Sequence, residues 1–401
     1  MNRDKMKRVC MLVFTSLNPD PRVWKESRTL ALQGFDVTIL AIRRKGQRKD
    51  EWIDGFRISR IFSDYPLKLR NVFAMLKAWT EYIFFLLDRK RIPFDICHCH
   101  DPDTLLFGYG ISMKDRAILI YDAHEFFLDF MPPMKRPLIG LLKEMNHFLT
   151  RILPERVFIS RCHYVITVNA SISRLMKASY RLKERPTFLL NTLPYEKEVK
   201  ELENTQHVSQ NGKKFILFQG VISWDRQIER IIEIMPNLDK SITLRLRGPI
   251  SPQYRQELSD LAKKKGVYDR IEFGQVPYHD LIKETARNDV GICLLEPKSL
   301  SYKYSLPNKF FEYIFAGIPV IVSDLPEMKK ITKQFQIGEV VDINDPDEMI
   351  SGIRKVLGKA STNWYRDRLA LARKALCWEN EEGKLIDIYR RISSFGSLQR
   401  K

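Results

Sequence analysis

Apolar and polar positions recur in a fixed order along this chain. Residues 8–15 (RVCMLVFT) form an apolar run of strand length. Residues 16–22 (SLNPDPR) are rich in turn formers, and residues 23–32 return to helical spacing. Gly34 is placed to end that helix, and residues 35–42 (FDVTILAI) read as a second strand. Strand, loop, helix and strand make one βαβ unit. Further strands are predicted at residues 56–61, 94–100, 117–121, 165–168 and 187–190. A long helix or helix pair covers residues 65–91, and another helix starts near residues 169–171. Residues 196–212 are polar and aperiodic, which predicts a linker. The order then restarts with strand 214–219, loop 220–226 and helix 228–235. Strands 242–247, 271–273, 290–295 and 319–322 follow, alternating with helices 253–264, 279–288 and 347–357 and a helical segment 362–392.

This order predicts an α/β protein of two doubly wound, Rossmann-like domains facing each other across a cleft. The boundaries fall at residues 1–195 and 214–375, with a linker at 196–213. Residues 376–401 are expected to pack back on the first domain.

Residues 304–321 (YSLPNKFFEYIFAGIPVI) carry the densest local signal. Pro307 suits the first turn of a helix, where its missing N–H costs nothing. Phe310, Phe311, Ile314 and Phe315 recur at helical spacing, Gly317 ends the helix, and Pro319 keeps it from resuming. A loop entering a helix offers backbone N–H groups and the positive end of the helix dipole to an anion. Lys309, with Asn308 beside it, adds a full positive charge. Glu312, about one turn on, suits the vicinal hydroxyls of a ribose. These groups fit a nucleoside diphosphate, although an amphipathic helix with a solvated Glu and Lys would read the same way. Gly220 opens the loop after strand 214–219, and Arg226 falls where it could meet a phosphate.

In the first half, open α/β sheets bind ligands at the carboxyl ends of their strands. That rule singles out Asp20 and Arg22 in the first loop and His124 in Asp122-Ala-His-Glu125. No GxGxxG dinucleotide fingerprint occurs. Strand 94–100 (FDICHCH) alternates its faces, so Cys97 and Cys99 share one side, and His98 and His100 the other. With no second Cys/His cluster to complete a tetrahedral set, no metal site is expected.

The net charge of +18 narrows the partners to anions: nucleotide phosphates, acidic lipid or nucleic acid. No RNA- or DNA-binding module is recognisable, so nucleic acid is not expected. Six scattered cysteines without a CxxC fit a reducing cytoplasm. No signal-peptide pattern is visible, and no apolar run approaches the roughly 20 residues of a membrane span. Residues 65–91 and 131–156 are basic and aromatic, suited to a lipid interface or to packing on a core with a basic rim. The expectation is a cytoplasmic protein, peripheral on the inner face of the plasma membrane.

The chain resembles the family 4 glycosyltransferases of GT-B fold, from about residue 8 to about residue 392. The resemblance rests on Asp20-Pro-Arg-Val23, His100-Asp-Pro-Asp-Thr104 and Tyr121-Asp-Ala-His-Glu125 in the first half. In the second half it rests on Gln219-Gly220 with Arg226, and on Leu306-Pro-Asn-Lys-Phe-Phe-Glu312 through Ala316-Gly-Ile-Pro319. Each piece is weak by itself, whereas the set in this order is specific. It implies transfer of a sugar from a nucleotide sugar to a hydroxyl acceptor, with retention of configuration and no bound metal or other cofactor. It implies that the second half holds the nucleotide, with Glu312 on the ribose and Arg226 at the family's diphosphate-binding lysine. His124 matches a histidine at the donor sugar, and the Asp20–Arg22 loop would line the cleft.

Two positions depart from the family pattern. Tyr304 stands where many members have a second Glu, which leaves the sugar contacts open. Val221 stands where many have Arg after the loop glycine, so Lys309 or Arg247 would supply that charge. Breaking the donor bond puts negative charge on the diphosphate, which fixed cations stabilise. A glycoside hydrolase would instead need two carboxylates flanking the bond. The basic aromatic helices point to a lipid-linked acceptor, in cell-surface polysaccharide or glycolipid synthesis. A nucleotide-sugar epimerase on the same architecture is the alternative reading.

Overall fold

The computed structural model describes residues 6–17, 20–63, 72–88, 91–128, 147–195, 212–360 and 364–395. Most of the expected linker (196–211), the start of the first basic segment (65–71) and residues 131–146 of the second lie outside these. The chain divides into two compact units, Met1–Asn191 with Glu381–Lys401, and Thr192–Asn380. Both are Rossmann-like α/β domains built on parallel sheets.

The sheet of the first unit comprises β1 (Arg8–Leu12), β2 (Asp36–Arg43), β3 (Asp50–Ile53), β4 (Phe56–Ser63), β5 (Ile96–His100), β6 (Ile118–Ala123), β7 (Tyr164–Thr167) and β8 (Thr187–Phe188). Its order is β3-β4-β2-β1-β5-β6-β7-β8, and only the β3–β4 pair is antiparallel. Val9, Cys10, Met11 and Leu12 are fully buried, as expected for a central parallel strand covered on both faces. Order reverses between β1 and β5, so their carboxyl ends frame the switch point where such sheets bind ligands.

Several elements differ from the sequence expectation. The β3 strand was not foreseen. Its hairpin turns at Asp54-Gly55, both at positive φ, the conformation of a type I′ turn. The helix Pro102–Asp115 was also unforeseen. Strand 117–121 extends through Ala123, which draws Asp122 into the sheet and out of the loop. Segment 362–392 is two helices, Arg366–Ala375 and Trp378–Phe395, and 279–288 contains only a short helix, Leu281–Thr285.

The second unit has β9 (Lys214–Gln219), β10 (Ile242–Arg247), β11 (Ile271–Gly274), β12 (Val290–Cys293), β13 (Val320–Ser323) and β14 (Gly338–Val341). They run in the order β11-β10-β9-β12-β13-β14, all parallel, and reverse between β9 and β12. The helix Asn308–Ala316 packs on this sheet with Phe310, Phe311, Ile314 and Phe315 fully buried. It ends at Gly317, whose φ of +79° is left-handed, as its place after the apolar face predicts. The fit against β12 is close: a Cβ at Gly291 would lie 2.3 Å from the Tyr313 ring. That approach lets the Tyr313 hydroxyl accept the Gln219 backbone N–H at 3.1 Å and donate to the Ile292 carbonyl at 3.2 Å.

Candidate functional site

In the second unit the candidate groups meet at the carboxyl ends of β9 and β12. Gly220 follows β9 at a φ of +105°, and a Cβ there would sit 3.5 Å from the end of the Lys309 side chain. Lys309 is the second residue of the Asn308–Ala316 helix, and its ammonium lies 3.7 Å from the centre of the Phe218 ring. Burial pushes that ammonium down to about 8. Cys293, at the end of β12, feels the charges of Lys309, Arg226 and Glu312 together. The Arg226 charge also acts on Lys309 itself.

Glu312 accepts a hydrogen bond from the Gln219 side-chain amide, and the Gln219 carbonyl oxygen accepts from Thr285 at 2.7 Å. Gln219 is only 2% exposed, so this chain holds the Glu312 carboxylate from below. Arg226 ends a short 3-10 turn, Trp224–Arg226, 3.5 Å from Asp225, whose carboxylate also takes the Tyr302 hydroxyl at 2.8 Å. Asn308 is exposed at the helix start, and Tyr304 ends the short helix Leu300–Lys303 with Lys303 over its ring. Arg247 pairs with Glu272 at 3.1 Å. It lines a cavity of about 140 Å³ with Gln219, Arg245, Thr285 and Asn288.

In the first unit the candidate groups form a buried polar cluster beside β1, β5 and β6. Asp20 caps the helix Pro21–Leu32, accepting the Val23 N–H at 3.4 Å. Arg22 departs from the expectation of a cleft-lining loop charge. It is the second residue of that helix, is 2% exposed, and donates to both Asp122 oxygens at 2.7 Å and to the Leu189 carbonyl at 2.9 Å. Glu26, one turn on, lies 3.2 Å from the same guanidinium. Burial pushes the Glu26 carboxyl up to about 8. Burial also opposes ionisation of Asp122. There the Arg22 charge and hydrogen bonds from His100 and His124 outweigh it and hold the group well below the usual carboxylate range.

His98 and His100 point to one side of β5, as strand alternation requires, and their rings stack at 4.5 Å. Burial lowers both. The Nδ1 of His98 meets the Tyr389 hydroxyl of the C-terminal helix at 2.8 Å. Among the described residues, Glu26, His98, His100 and Asp122 form a group whose potential ligand atoms all lie within 4.8 Å of one another. The fold therefore supplies the partners that the strand by itself lacks. The same group already contains a cation, the Arg22 guanidinium, engaged with both carboxylates.

His124 stands at the open end of this cluster with 22% of its side chain exposed. Its Nε2 lies 3.5 Å from Asp122 and 3.2 Å from His100 Nδ1, and its Nδ1 lies 3.7 Å from Asp101. Burial opposes a charge on this ring, but Asp101 and Asp122 outweigh it and hold the imidazolium up to about 9. Asp101, Glu26 and His100 were not among the candidates. The signal within reach was Asp101-Pro102, an N-cap and first-turn pair opening a helix directly after a strand.

Two Rossmann-like domains, each with polar groups gathered at the switch point of its sheet, define the class of the fold. Residues 22–192 match the family model described as Glycosyltransferase Family 4, and residues 199–370 that described as Glycosyl transferases group 1. The chain belongs to the family 4 glycosyltransferases of GT-B fold. It is 21% identical over 358 residues to the chitobiosyldiphosphodolichol beta-mannosyltransferase of Yarrowia lipolytica, covering 82% of this chain and 75% of that one. Sucrose-phosphate synthase from Thermosynechococcus elongatus superposes with a TM-score of 0.73 at 15% identity, over 97% of this chain and 99% of that one. Anabaena HepE in complex with UDP-glucose superposes at 0.64 with 13% identity, over 96% of this chain and 99% of that one.

Proposed function

We propose that this glycosyltransferase moves a sugar from a nucleoside diphosphate sugar to a hydroxyl of a lipid-linked or saccharide acceptor, with retention of configuration. The observation that carries the reading is that Lys309 and Glu312 stand against Gly220 and Gln219 at the β9–β12 switch point, within reach of the Arg226 charge. Glu312 accepts the ribose hydroxyls, while Lys309, Arg226 and the amino end of the Asn308–Ala316 helix face the diphosphate. As the glycosidic bond breaks, the diphosphate takes on negative charge, which these fixed cations stabilise in place of a metal. A lysine that burial has made easier to deprotonate gains most from the arrival of a phosphate, because the ligand returns the charge partner that burial removed. HepE, a structural neighbour, holds UDP-glucose, which supports a nucleotide-sugar donor.

The acceptor reading draws on the mannosyltransferase relative, whose named acceptor is linked to a lipid diphosphate. It also draws on exposed apolar side chains: Ile83, Phe84 and Leu87 on the helix Val72–Leu87, and Phe148, Leu149 and Leu153 further on. No helix among the described residues is long and apolar enough to cross a membrane. With a net charge of +18, such surfaces suit an anionic lipid interface. Sedimentation with anionic vesicles at low salt and release at high salt is the expected behaviour. Absence of binding at low salt would leave these side chains without a lipid role.

The deciding experiment measures nucleoside diphosphate release from a panel of nucleotide sugars, with membrane extract as the acceptor source and with chelator present. Release from at least one donor, undiminished by chelator, and an NMR-defined product anomer matching the donor are expected. No release from any donor would refute the function. Loss of activity on chelation would refute the metal-free reading, and an inverted anomer the retaining one.

A further inference from the structure

Asp101 occupies the position that normally caps a helix, directly before Pro102–Asp115, yet its side chain makes no capping bond. Aspartate at that position ordinarily accepts an N–H of the first turn. Here Oδ1 instead accepts the backbone N–H of His124 at 3.1 Å, and Oδ2 lies 3.7 Å from the His124 ring. The arrangement has a conformational cost. Asp101 sits at φ 65°, ψ 158°, a region that is nearly reserved for glycine. It is pinned there by its own N–H to the Asp122 carbonyl at 3.0 Å and by the Thr104 hydroxyl on its carbonyl at 2.9 Å. A residue that forgoes a cap and accepts strain to reach a neighbouring histidine is placed for that histidine.

We infer that Asp101 is a positioning residue: with Asp122 it brackets the His124 ring, so that both ring nitrogens carry hydrogen and the ring serves as a cationic donor rather than a proton acceptor. His100 is buried and neutral, and its Nδ1 faces His124 Nε2 at 3.2 Å. The same His100 Nδ1 lies 3.4 Å from the Asp122 carboxylate, so Asp122 serves both rings and leaves His124 Nε2 facing an ionised oxygen at 3.5 Å. The charged groups around the ring are Asp101 from the β5 end, Asp122 from β6 and Arg22 from the helix Pro21–Leu32, with Glu26 behind them and Asp20 near His100. The two aspartates outweigh the single guanidinium that opposes them. A cationic ring at this place would hydrogen-bond a sugar oxygen or a phosphate oxygen and would not deprotonate the acceptor.

The inference rests on the reading of His124 as a group that meets the sugar donor, but its test does not. The full chain, labelled with 15N-histidine, is titrated by long-range 1H–15N NMR without any ligand, with His124→Gln to assign the ring. Wild-type His124 is expected to titrate near 9. Asp101→Asn keeps an oxygen for the His124 N–H and remains a good N-cap, so a capping role alone predicts no change. Removal of the carboxylate charge is expected to lower the midpoint by roughly one pH unit or more. Asp101→Gly is expected to lower it equally, with a melting temperature no lower than wild type because glycine accepts this conformation. An unchanged His124 midpoint in both variants would overturn the inference. Absence of sugar transfer with the NMR shifts intact would instead overturn the proposed function. In an active preparation, kcat should fall as pH rises through the His124 midpoint, and that limb should move to lower pH in Asp101→Asn.

Discussion

Replacing Glu312 by alanine tests the nucleotide site most directly, and its size can be worked out beforehand. If the carboxylate accepts ribose hydroxyls, its removal deletes hydrogen bonds to a charged group, worth about 1.5–3 kcal/mol. Affinity for the nucleoside diphosphate should then fall roughly 10- to 150-fold, at 1.4 kcal/mol per tenfold. The same change has a second effect. The Gln219 amide, held in place by Thr285 at 2.7 Å, loses the oxygen it donates to. Gln219 is buried, so an orphaned amide costs about 1–3 kcal/mol of stability. Glu312→Gln separates the two effects, because it keeps an oxygen for Gln219 while removing the charge. Isothermal titration with UDP, GDP and ADP, alongside melting curves, reads both quantities. Weakened binding in both variants with a stability loss confined to alanine is expected. Unchanged affinity in a folded Glu312→Ala protein would remove this residue from the nucleotide site.

Three further outcomes follow from the charge states. Lys309 has a folded-state pKa of about 8 against 10.5 normally, so the folded protein binds fewer protons between these values and stability rises with pH across that window. Lys309→Met should raise the melting midpoint at pH 7 and flatten that rise, yet weaken diphosphate binding by roughly tenfold or more; a lowered midpoint would contradict the buried-charge reading. Arg22→Leu leaves Asp122 buried without its ion pair and should cost about 3–5 kcal/mol in urea unfolding, and a negligible loss would show that the pair is not enclosed. Glu26 has a folded-state pKa of about 8 against 4.5 normally, so the folded protein binds more protons in between and stability falls as pH rises through that range. Glu26→Gln stays neutral and should remove that fall, whereas superimposable pH–stability curves for variant and wild type would place the proton elsewhere.

Much of the second-unit site was legible because its parts lie close in the chain. The Asn308–Ala316 helix announces itself by four phenylalanine and isoleucine side chains on one face and a glycine at its end, and Lys309 and Glu312 ride on it. The first-unit site was less legible. His124 follows a strand and could be picked by position, but Arg22 read as a cleft-lining loop charge because its neighbours in sequence are polar turn formers. Its partner Asp122 is 100 residues away on β6, and only the fold brings the two side chains within 2.7 Å. The carboxylates that join His98 and His100 were out of reach for the same reason. Alternation along β5 was read correctly, while Glu26 and Asp122 come from other elements. The β3 hairpin strand escaped because four largely exposed residues carry no periodic signal.

Most of the alternation of strands and helices, the family, and the residues that stand at strand ends could be read from the chain, since apolar periodicity and capping act over a few neighbouring positions. Tertiary structure alone decided which of these residues are charged and what they face. Whether Lys309 or Glu26 holds its proton depends on how much water the fold removes and which distant charges it supplies, and neither is written in the local pattern.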